Sequence, residues 1–410
     1  MRILCMSDSL FIPTGLGRVG KEIAVGLAKK GHEIGYIGWF HRDGVPFNVP
    51  AGITYWHTNN NFYGQDILDT VVMNFQPEIV LTIGDMWWLA YIANPNLCRT
   101  RGMFQWCCYI PVDGEPIGGG LPPAIIEAVK DIDLPVAYTD YAKEAILKSI
   151  EDPETRLRLE TIYHGVDTDL FKPAEYSERK KMREQFGVDD KFIFLNVSRN
   201  QSRKNIPELL RAWKKFSELP ETRGKVVLWP HMHFNDPMGW QIDNLMKVLD
   251  LKNQSILFYE QIAHGPSELS LLSDADLAKL YQIADAFVLI SGEGFGLPIF
   301  EAMATKLPCV LLDYAAASEL GADKRAELVS GDAATWTGLH LTQRPLPSID
   351  AICDSLKRVY MDPAYRREIA QRGYDFAVKF TWQSVVNDWH NYFIRQEIPF
   401  IKEKELEVIA

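Results

Sequence analysis

Gly292, Gly294 and Gly296 stand at alternate positions between an apolar run, Ala286 to Ile290, and a helical pattern that opens at Pro298. A buried strand, a glycine turn and a helix start in that order bring backbone amides to the positive end of a helix dipole, a site for anionic oxygen atoms. Proline suits a first helical position. Glu293 lies in the turn, and the pattern puts Glu301 in the first helical turn, so both carboxylates can accept hydrogen bonds from a pair of hydroxyls. Phosphates joined to vicinal hydroxyls describe a nucleotide sugar. The alternative for the same residues is a stabilising acid at a helix start, with glycines that only turn the chain.

A second group lies at the end of the apolar run Phe192 to Val197, where Ser198-Arg-Asn-Gln-Ser-Arg-Lys-Asn205 precedes a helix starting near Pro207. Arg199 and Lys204 can neutralise a diphosphate there, the first as a bidentate fork and the second as a point charge. Taken in isolation, surface loop charges are the better reading of both.

Four segments in order then carry a family resemblance. SGEGFGLPIFEAMA at 291 to 304, VSRNQSRKN at 197 to 205, YHGVDTDLFKP at 163 to 173 and the early TGLGRVGKEIAVGLAKKGHEI resemble the motifs of the retaining glycosyltransferases of family 4, the glycosyl transferases group 1. The resemblance implies an α/β chain of GT-B architecture, two facing Rossmann-like doubly wound domains with an interdomain cleft. It also implies roles. Glu301 would bind the ribose hydroxyls and Glu293 the donor sugar, while Arg199 and Lys204 would hold the diphosphate with help from amides of Gly294, Phe295, Gly296 and Leu297. Gly15 and Gly17 fall on the donor side of the first glycine loop. The implied reaction moves a hexose-type sugar from a UDP-sugar, or failing that a GDP-sugar, to a hydroxyl acceptor. It retains configuration by a front-face path, with fixed cations stabilising the departing diphosphate and with no metal or further cofactor.

The chain departs from the family pattern in places. Asp113, in Pro111-Val-Asp-Gly114, stands where members often have a histidine against the donor sugar; a turn aspartate is the alternative. His164 replaces an asparagine, Lys306 and Leu307 replace a glycine turn, and Glu319 aligns with a downstream acid of unassigned role. The acceptor is expected in the N-terminal loops, including Gly15 to Gly17, Trp56 to Tyr63 and Met86-Trp87-Trp88, with Tyr63, Trp87 and His164 as candidate contacts. A saccharide, a lipid-linked sugar, a small metabolite or a modified nucleobase all fit aromatic faces. The donor's base is expected near Phe258 to Ile262.

The elements that must position these residues follow from periodicity. Short apolar runs alternate with helical segments at Arg2 to Met6, Val19 to Lys30, Glu33 to Ile37, Glu78 to Ile83, Phe104 to Ile110 and Leu134 to Tyr138, the rhythm of a parallel sheet covered by helices. After a polar stretch at 172 to 190 the rhythm restarts, with strands expected at Phe192 to Val197, Lys225 to Trp229, Ile256 to Phe258, Phe287 to Ile290 and Cys309 to Leu312. The expected domains are 1–175, binding acceptor, and 176–380, binding donor, with a helical segment at 381–410 packing back on the first.

With 410 residues, 47% of them hydrophobic, the chain has material for two cores. A formal charge of −11 disfavours a protein that coats nucleic acid. The basic run Arg179-Lys-Lys-Met-Arg183 is expected to be the solvated side of a helix. Six cysteines without metal-ligand spacing read as reduced core thiols. No run reaches the length of a membrane span, so the expected location is the cytoplasm, with peripheral membrane contact left open. Gly15 to Gly20 form a G-x-G-x-x-G, but the strand-to-glycine spacing and the missing acid after the next strand disfavour a nicotinamide site. A GT-B epimerase or phosphorylase, or a non-catalytic sugar-nucleotide-binding protein, are the nearer alternatives. Asp131-Ile-Asp133 and Asp274-Ala-Asp276 could serve a metal-dependent transferase, although the second has the look of a helix cap.

Overall fold

The computed structural model describes residues 1–40, 48–58, 63–151, 153–234, 236–251, 255–256, 272–331, 333–337 and 342–396. The chain divides into two compact units. One comprises Met1–Val112, Gly118–Gly165 and the chain from Trp382 onward; the other comprises Asp113–Ile117 and Val166–Thr381.

The strands run in chain order β1 (Arg2–Asp8), β2 (Glu33–Trp39), β3 (Ile53–His57), β4 (Ile79–Ile83), β5 (Gln105–Ile110), the two-residue β6 (Glu115–Pro116), β7 (Leu134–Ala137) and β8 (Glu160–Thr161). All but β6 form the first unit's parallel sheet, in the order β3-β2-β1-β4-β5-β7-β8. Ile3 to Met6 and Ile79 to Leu81 are fully buried, as continuous apolar strands covered on both faces must be. The helix Gly15–Lys29 is capped by Thr14, whose Oγ1 accepts from the Gly17 amide at 3.0 Å and whose hydroxyl donates to Asp8 at 2.6 Å. Its apolar stripe, Val19, Ile23, Ala24 and Leu27, is buried. The helix Trp382–Arg395 packs against it at Gly26, where a Cβ would come within 2.3 Å of Val386.

The second unit contributes β9 (Phe192–Val197), β10 (Val226–His231), β11 (Ala286–Leu289), β12 (Cys309–Leu312) and β13 (Glu327–Val329). These form a parallel sheet in the order β10-β9-β11-β12-β13. Ile256 joins by an isolated bridge to Leu228, and the rest of the strand expected at Ile256 to Phe258 lies outside the described residues. Two further strands, β14 (Ala333–Thr337) and β15 (Thr342–Leu346), pair antiparallel and continue onto β6. This small sheet has no counterpart in the periodicity of the sequence, because its strands are short and Pro116 and Pro345 interrupt the pattern.

In both parallel sheets the chain reverses its direction of travel beside the first strand, between β1 and β4 in one and between β9 and β11 in the other. Ligands of open α/β sheets bind at such switch points, outside the carboxyl ends of the strands.

The basic run at 179 to 183 corrects the expectation of a solvated face. Lys180 and Lys181 are exposed, but Arg183 is buried and both arginines bind Asp285, at 2.6 Å from Arg179 and 2.9 Å from Arg183. Arg183 also donates to the carbonyls of Ile283 and Val188, so the helix Tyr176–Gln185 is pinned to the chain entering β11. All six cysteines are free and buried. Among the described residues no helix is long and apolar enough to cross a membrane.

Candidate active site

The switch point of the second unit lies between the loops that leave β9 and β11. Asn196 near the end of β9 donates to the Val288 carbonyl at 2.7 Å, and the hydroxyl of Ser198 donates to Asn196 Oδ1 at 2.9 Å, tying the two strand ends together. Asn200 is fully buried and donates to the carbonyls of His233, Phe234 and Trp240, fixing the course of the loop. A one-turn helix, Ser202–Lys204, then delivers Lys204 before Asn205 turns the chain at φ 48° into the helix Ile206–Ser217.

After β11 the glycine loop leads to the helix Leu297–Ala304. Gly296 caps it at φ 97°, a left-handed conformation that glycine adopts without a steric penalty. The helix starts at Leu297 and Pro298 is its second residue, one place later than the sequence suggested. Glu301 is therefore the fifth helical residue, outside the first turn, and its reading as a first-turn acid is withdrawn. It is 4% exposed and accepts a 2.7 Å hydrogen bond from the Tyr281 hydroxyl. The amides of Ile299 and Phe300 close back onto the Gly296 carbonyl at 2.8 and 3.3 Å, so they are engaged within the helix itself.

Lys204 and Glu293 meet between these loops as a hydrogen-bonded ion pair, with side chains 7% and 13% exposed. Burial pushes the Lys204 ammonium down to about 8, even though the Glu293 charge pulls it upward. Beside the pair, Arg203 donates to the Gly292 carbonyl at 3.2 Å and approaches Asp113 Oδ2 at 3.4 Å. Arg344 on β15 binds Asp113 from the other side, through its carboxylate at 2.8 Å and through its carbonyl. Burial alone would raise the Asp113 carboxyl, but Arg203 and Arg344 together hold it below the usual carboxylate range. Three cations and two carboxylates leave this cluster one positive charge in surplus, which suits an anionic ligand.

Arg199 stands apart from the cluster. Its guanidinium binds Asp236 at 2.7 Å with 60% of the side chain exposed, so the loop brings Lys204 to Glu293 but leaves Arg199 on its rim. Phe295 is buried and packs edge-on against Phe300 at 4.8 Å. The region expected to seat the base, Phe258 to Ile262, lies outside the described residues.

In the first unit, Gly15 and Gly17 form the start of the capped helix, and a Cβ on Gly17 would come within 2.9 Å of the Ser9 carbonyl. At Gly20 it would meet the Tyr36 hydroxyl at 2.3 Å. Close packing thus accounts for two glycines of the G-x-G-x-x-G. Tyr63 stacks on Trp88 at 4.5 Å and meets Trp39 edge-on, while Trp87 is 39% exposed. His164 is a core residue: 3% exposed, bonded to the Tyr109 hydroxyl at 2.8 Å and walled by Tyr138. Desolvation lowers it to about 3, and the rings of Tyr109 and Tyr138 enclose it in the first unit's core rather than on a loop at the strand ends, which corrects its candidate role as an acceptor contact.

Asp133 accepts from the Trp106 amide and binds Arg101 at 2.9 Å, while Asp274 and Asp276 occupy the first turn of a helix capped by Ser273. Lys306 adopts φ 63° after its helix, the conformation a glycine turn would supply. Glu319 lies in the short helix Ala315–Gly321, where its backbone carbonyl accepts from Arg325. Sequence reasoning passed over Arg203, Arg344 and Tyr281. Arg203 had one signal, its place next to Lys204; Arg344 and Tyr281 had none, since they reach the site only through strand and helix packing.

Residues 191–338 match the family model described as Glycosyl transferases group 1. The O-antigen chain mannosyltransferase B of Escherichia coli is 23% identical over 273 residues, 65% of this chain and 62% of that protein, so the chain spans under two thirds of its length. A glycosyltransferase from Rickettsia africae superposes with a TM-score of 0.70 at 18% identity, covering 97% of this chain and 98% of that one. Anabaena HepE, solved in complex with UDP-glucose, gives 0.70 at 16% identity over 97% and 100% of the two chains. At these identities the likeness establishes the fold, which is GT-B.

Proposed function

We propose, from the match of residues 191–338 to the glycosyl transferases group 1, that the chain is a retaining glycosyltransferase, moving a hexose-type sugar from a nucleoside diphosphate sugar to a hydroxyl acceptor without a metal. The observation that carries the reading is the buried Lys204–Glu293 pair at the switch point beside the glycine loop. Breaking the anomeric bond builds negative charge on the departing diphosphate, and a buried ammonium in a fixed place lowers that barrier without reorganising. Lys204 does this, with Arg203 and Arg199 adding positive charge on either side and loop amides between Gly294 and Leu297 completing the cradle. Glu293 accepts from hydroxyls of the sugar. Glu301, held by Tyr281, takes the ribose hydroxyls.

The acceptor oxygen attacks the face that the diphosphate leaves, and a phosphate oxygen takes its proton. UDP is the first choice of nucleotide, supported by the UDP-glucose bound to Anabaena HepE, and GDP the second. The ledge formed by exposed Trp87 and Trp88 with half-buried Tyr63 in the first unit is the proposed acceptor side.

A thermal-shift screen of nucleotide sugars tests the donor, because binding to the native state raises the melting temperature. Release of nucleoside diphosphate that depends on an added acceptor separates a transferase from an epimerase, a phosphorylase or a binding protein. Lys204→Ala is expected to lose most turnover while folded, with stability lowered by about 3 kcal/mol because Glu293 is left buried and unpaired. Glu301→Ala is expected to weaken nucleotide binding, and EDTA to leave activity intact. Near-normal turnover in Lys204→Ala, or loss of activity with EDTA, would sink the respective assignment.

A further inference from the structure

We propose that Arg344 is a positioning residue for transfer: carried on β15, it holds the Asp113 carboxylate at the edge of the Lys204–Glu293 pair, where Asp113 accepts a hydrogen bond from a hydroxyl of the donor's sugar. The inference rests on the function proposed above and adds to it a specificity element outside the doubly wound sheet.

The geometry builds up from β6. Glu115 and Pro116 pair antiparallel with Gln343 and Thr342 of β15, and Asp113 lies alongside Gly292 at the start of the glycine loop. Tyr314 locks the arrangement. Its hydroxyl accepts from the Glu115 amide at 3.0 Å and donates to the Gln343 carbonyl at 2.7 Å. Two glycines permit the approach: a Cβ on Gly114 would fall 2.4 Å from Thr342 Cγ2, and one on Gly292 would fall 2.6 Å from the Tyr314 ring and 3.2 Å from the Asp113 carbonyl. Arg344, with a side chain 6% exposed, then grips both the backbone and the carboxylate of Asp113.

A carboxylate has about four sites for incoming hydrogens. Arg344 takes one on Oδ1 and Arg203 lies near Oδ2, while the side chain is still 31% exposed and open to a further donor. Left uncompensated, that charge would repel a diphosphate next to Lys204. Arg344 neutralises it from the side away from Arg203, so Asp113 can sit by the leaving group as a hydroxyl acceptor without weakening the anion site. The charged and titratable groups around Asp113 are Arg203 and Lys204 from the β9 loop, Arg344 from β15, Glu293 beyond Lys204, Glu115 on β6 and the Tyr314 hydroxyl.

Arg344→Met and Arg344→Lys are compared with the wild type in three measurements: calorimetric affinity for UDP and UDP-glucose, and for GDP and GDP-mannose; kcat and KM; and the acid limb of the pH–rate profile. A thermal melt checks folding. Arg344→Met is expected to bind free nucleotide within about twofold of wild type but to lose the extra affinity the sugar confers, with kcat down about tenfold or more. Its acid limb should move to higher pH, because Asp113 loses a cation that keeps it ionised. Arg344→Lys should recover part of both effects. Unchanged kcat and acid limb in Arg344→Met would overturn the inference. So would a loss shared equally by nucleotide and nucleotide sugar and not recovered by lysine, the mark of a purely structural clip. A wild-type protein that binds neither nucleotide sugar and transfers no sugar would instead overturn the proposed function, and this inference with it.

Discussion

In the proposed role Lys204 must be charged to hold a diphosphate, and its burial sets the pH at which that would fail. With the ammonium pushed down to about 8, the free protein loses the charge as pH rises through that value. A bound diphosphate stabilises the charged form and moves the titration upward. The expected outcome is a kcat/KM that falls above pH 8 while kcat persists to more alkaline pH, read from initial rates over pH 6 to about 10. Identical alkaline limbs in the two profiles would remove Lys204 from the diphosphate site. Lys204 and Glu293 were both legible in the sequence, since glycines flanking an acid and cations at a strand end are local patterns. The division of labour among the cations was not. Arg199 and Arg203 are equally plausible on paper, and only the fold of the Ser198–Asn205 loop turns Arg203 inward and Arg199 toward Asp236.

Elements fix those residues through contacts that composition cannot forecast. The helix Tyr176–Gln185 reads as a charged surface helix, yet Arg183 anchors it by an ion pair to Asp285 and by carbonyl contacts on either side. Asp285 also accepts the Ile193 amide at 2.8 Å, which links the start of β9 to the chain entering β11. Arg183→Ala is expected to cost about 2 kcal/mol, because it removes a buried donor from Asp285 and from the Ile283 and Val188 carbonyls, while Arg179 and the Ile193 amide still hold the carboxylate. Chemical denaturation measures this, and a loss within about 0.5 kcal/mol, the range of ordinary surface substitutions, would return the run to the solvated role that its charge first suggested. The same lesson holds for Glu301. It is the fifth residue of its helix, beyond the first turn, and the packing of that helix against Tyr281 buries it.

At the scale of the whole molecule, the helix Trp382–Arg395 closes the first unit after the chain has completed the second. Trp389 is fully buried there and meets Tyr109 edge-on at 4.9 Å. Trp389→Ala should therefore destabilise the first unit by about 3–5 kcal/mol while leaving nucleotide affinity in place, since Lys204, Glu293 and Glu301 belong to the second. Calorimetric binding of UDP alongside an unfolding curve distinguishes the two effects. Loss of UDP affinity at a temperature where the variant is folded would contradict this division.

By itself the sequence determined the two doubly wound sheets, their restart near residue 190 and the two loops that carry Lys204 and Glu293. Apolar periodicity and glycine placement are properties of neighbours along the chain, so they can be read without coordinates. Tertiary structure alone decided which side chains face each other across those loops. Asp113 and Arg344 stand 231 residues apart and meet because β6 is drawn onto β15; His164, a candidate acceptor contact in the sequence, is turned into the core. Such pairings depend on strand register and on which face a side chain takes, and no local pattern encodes either one.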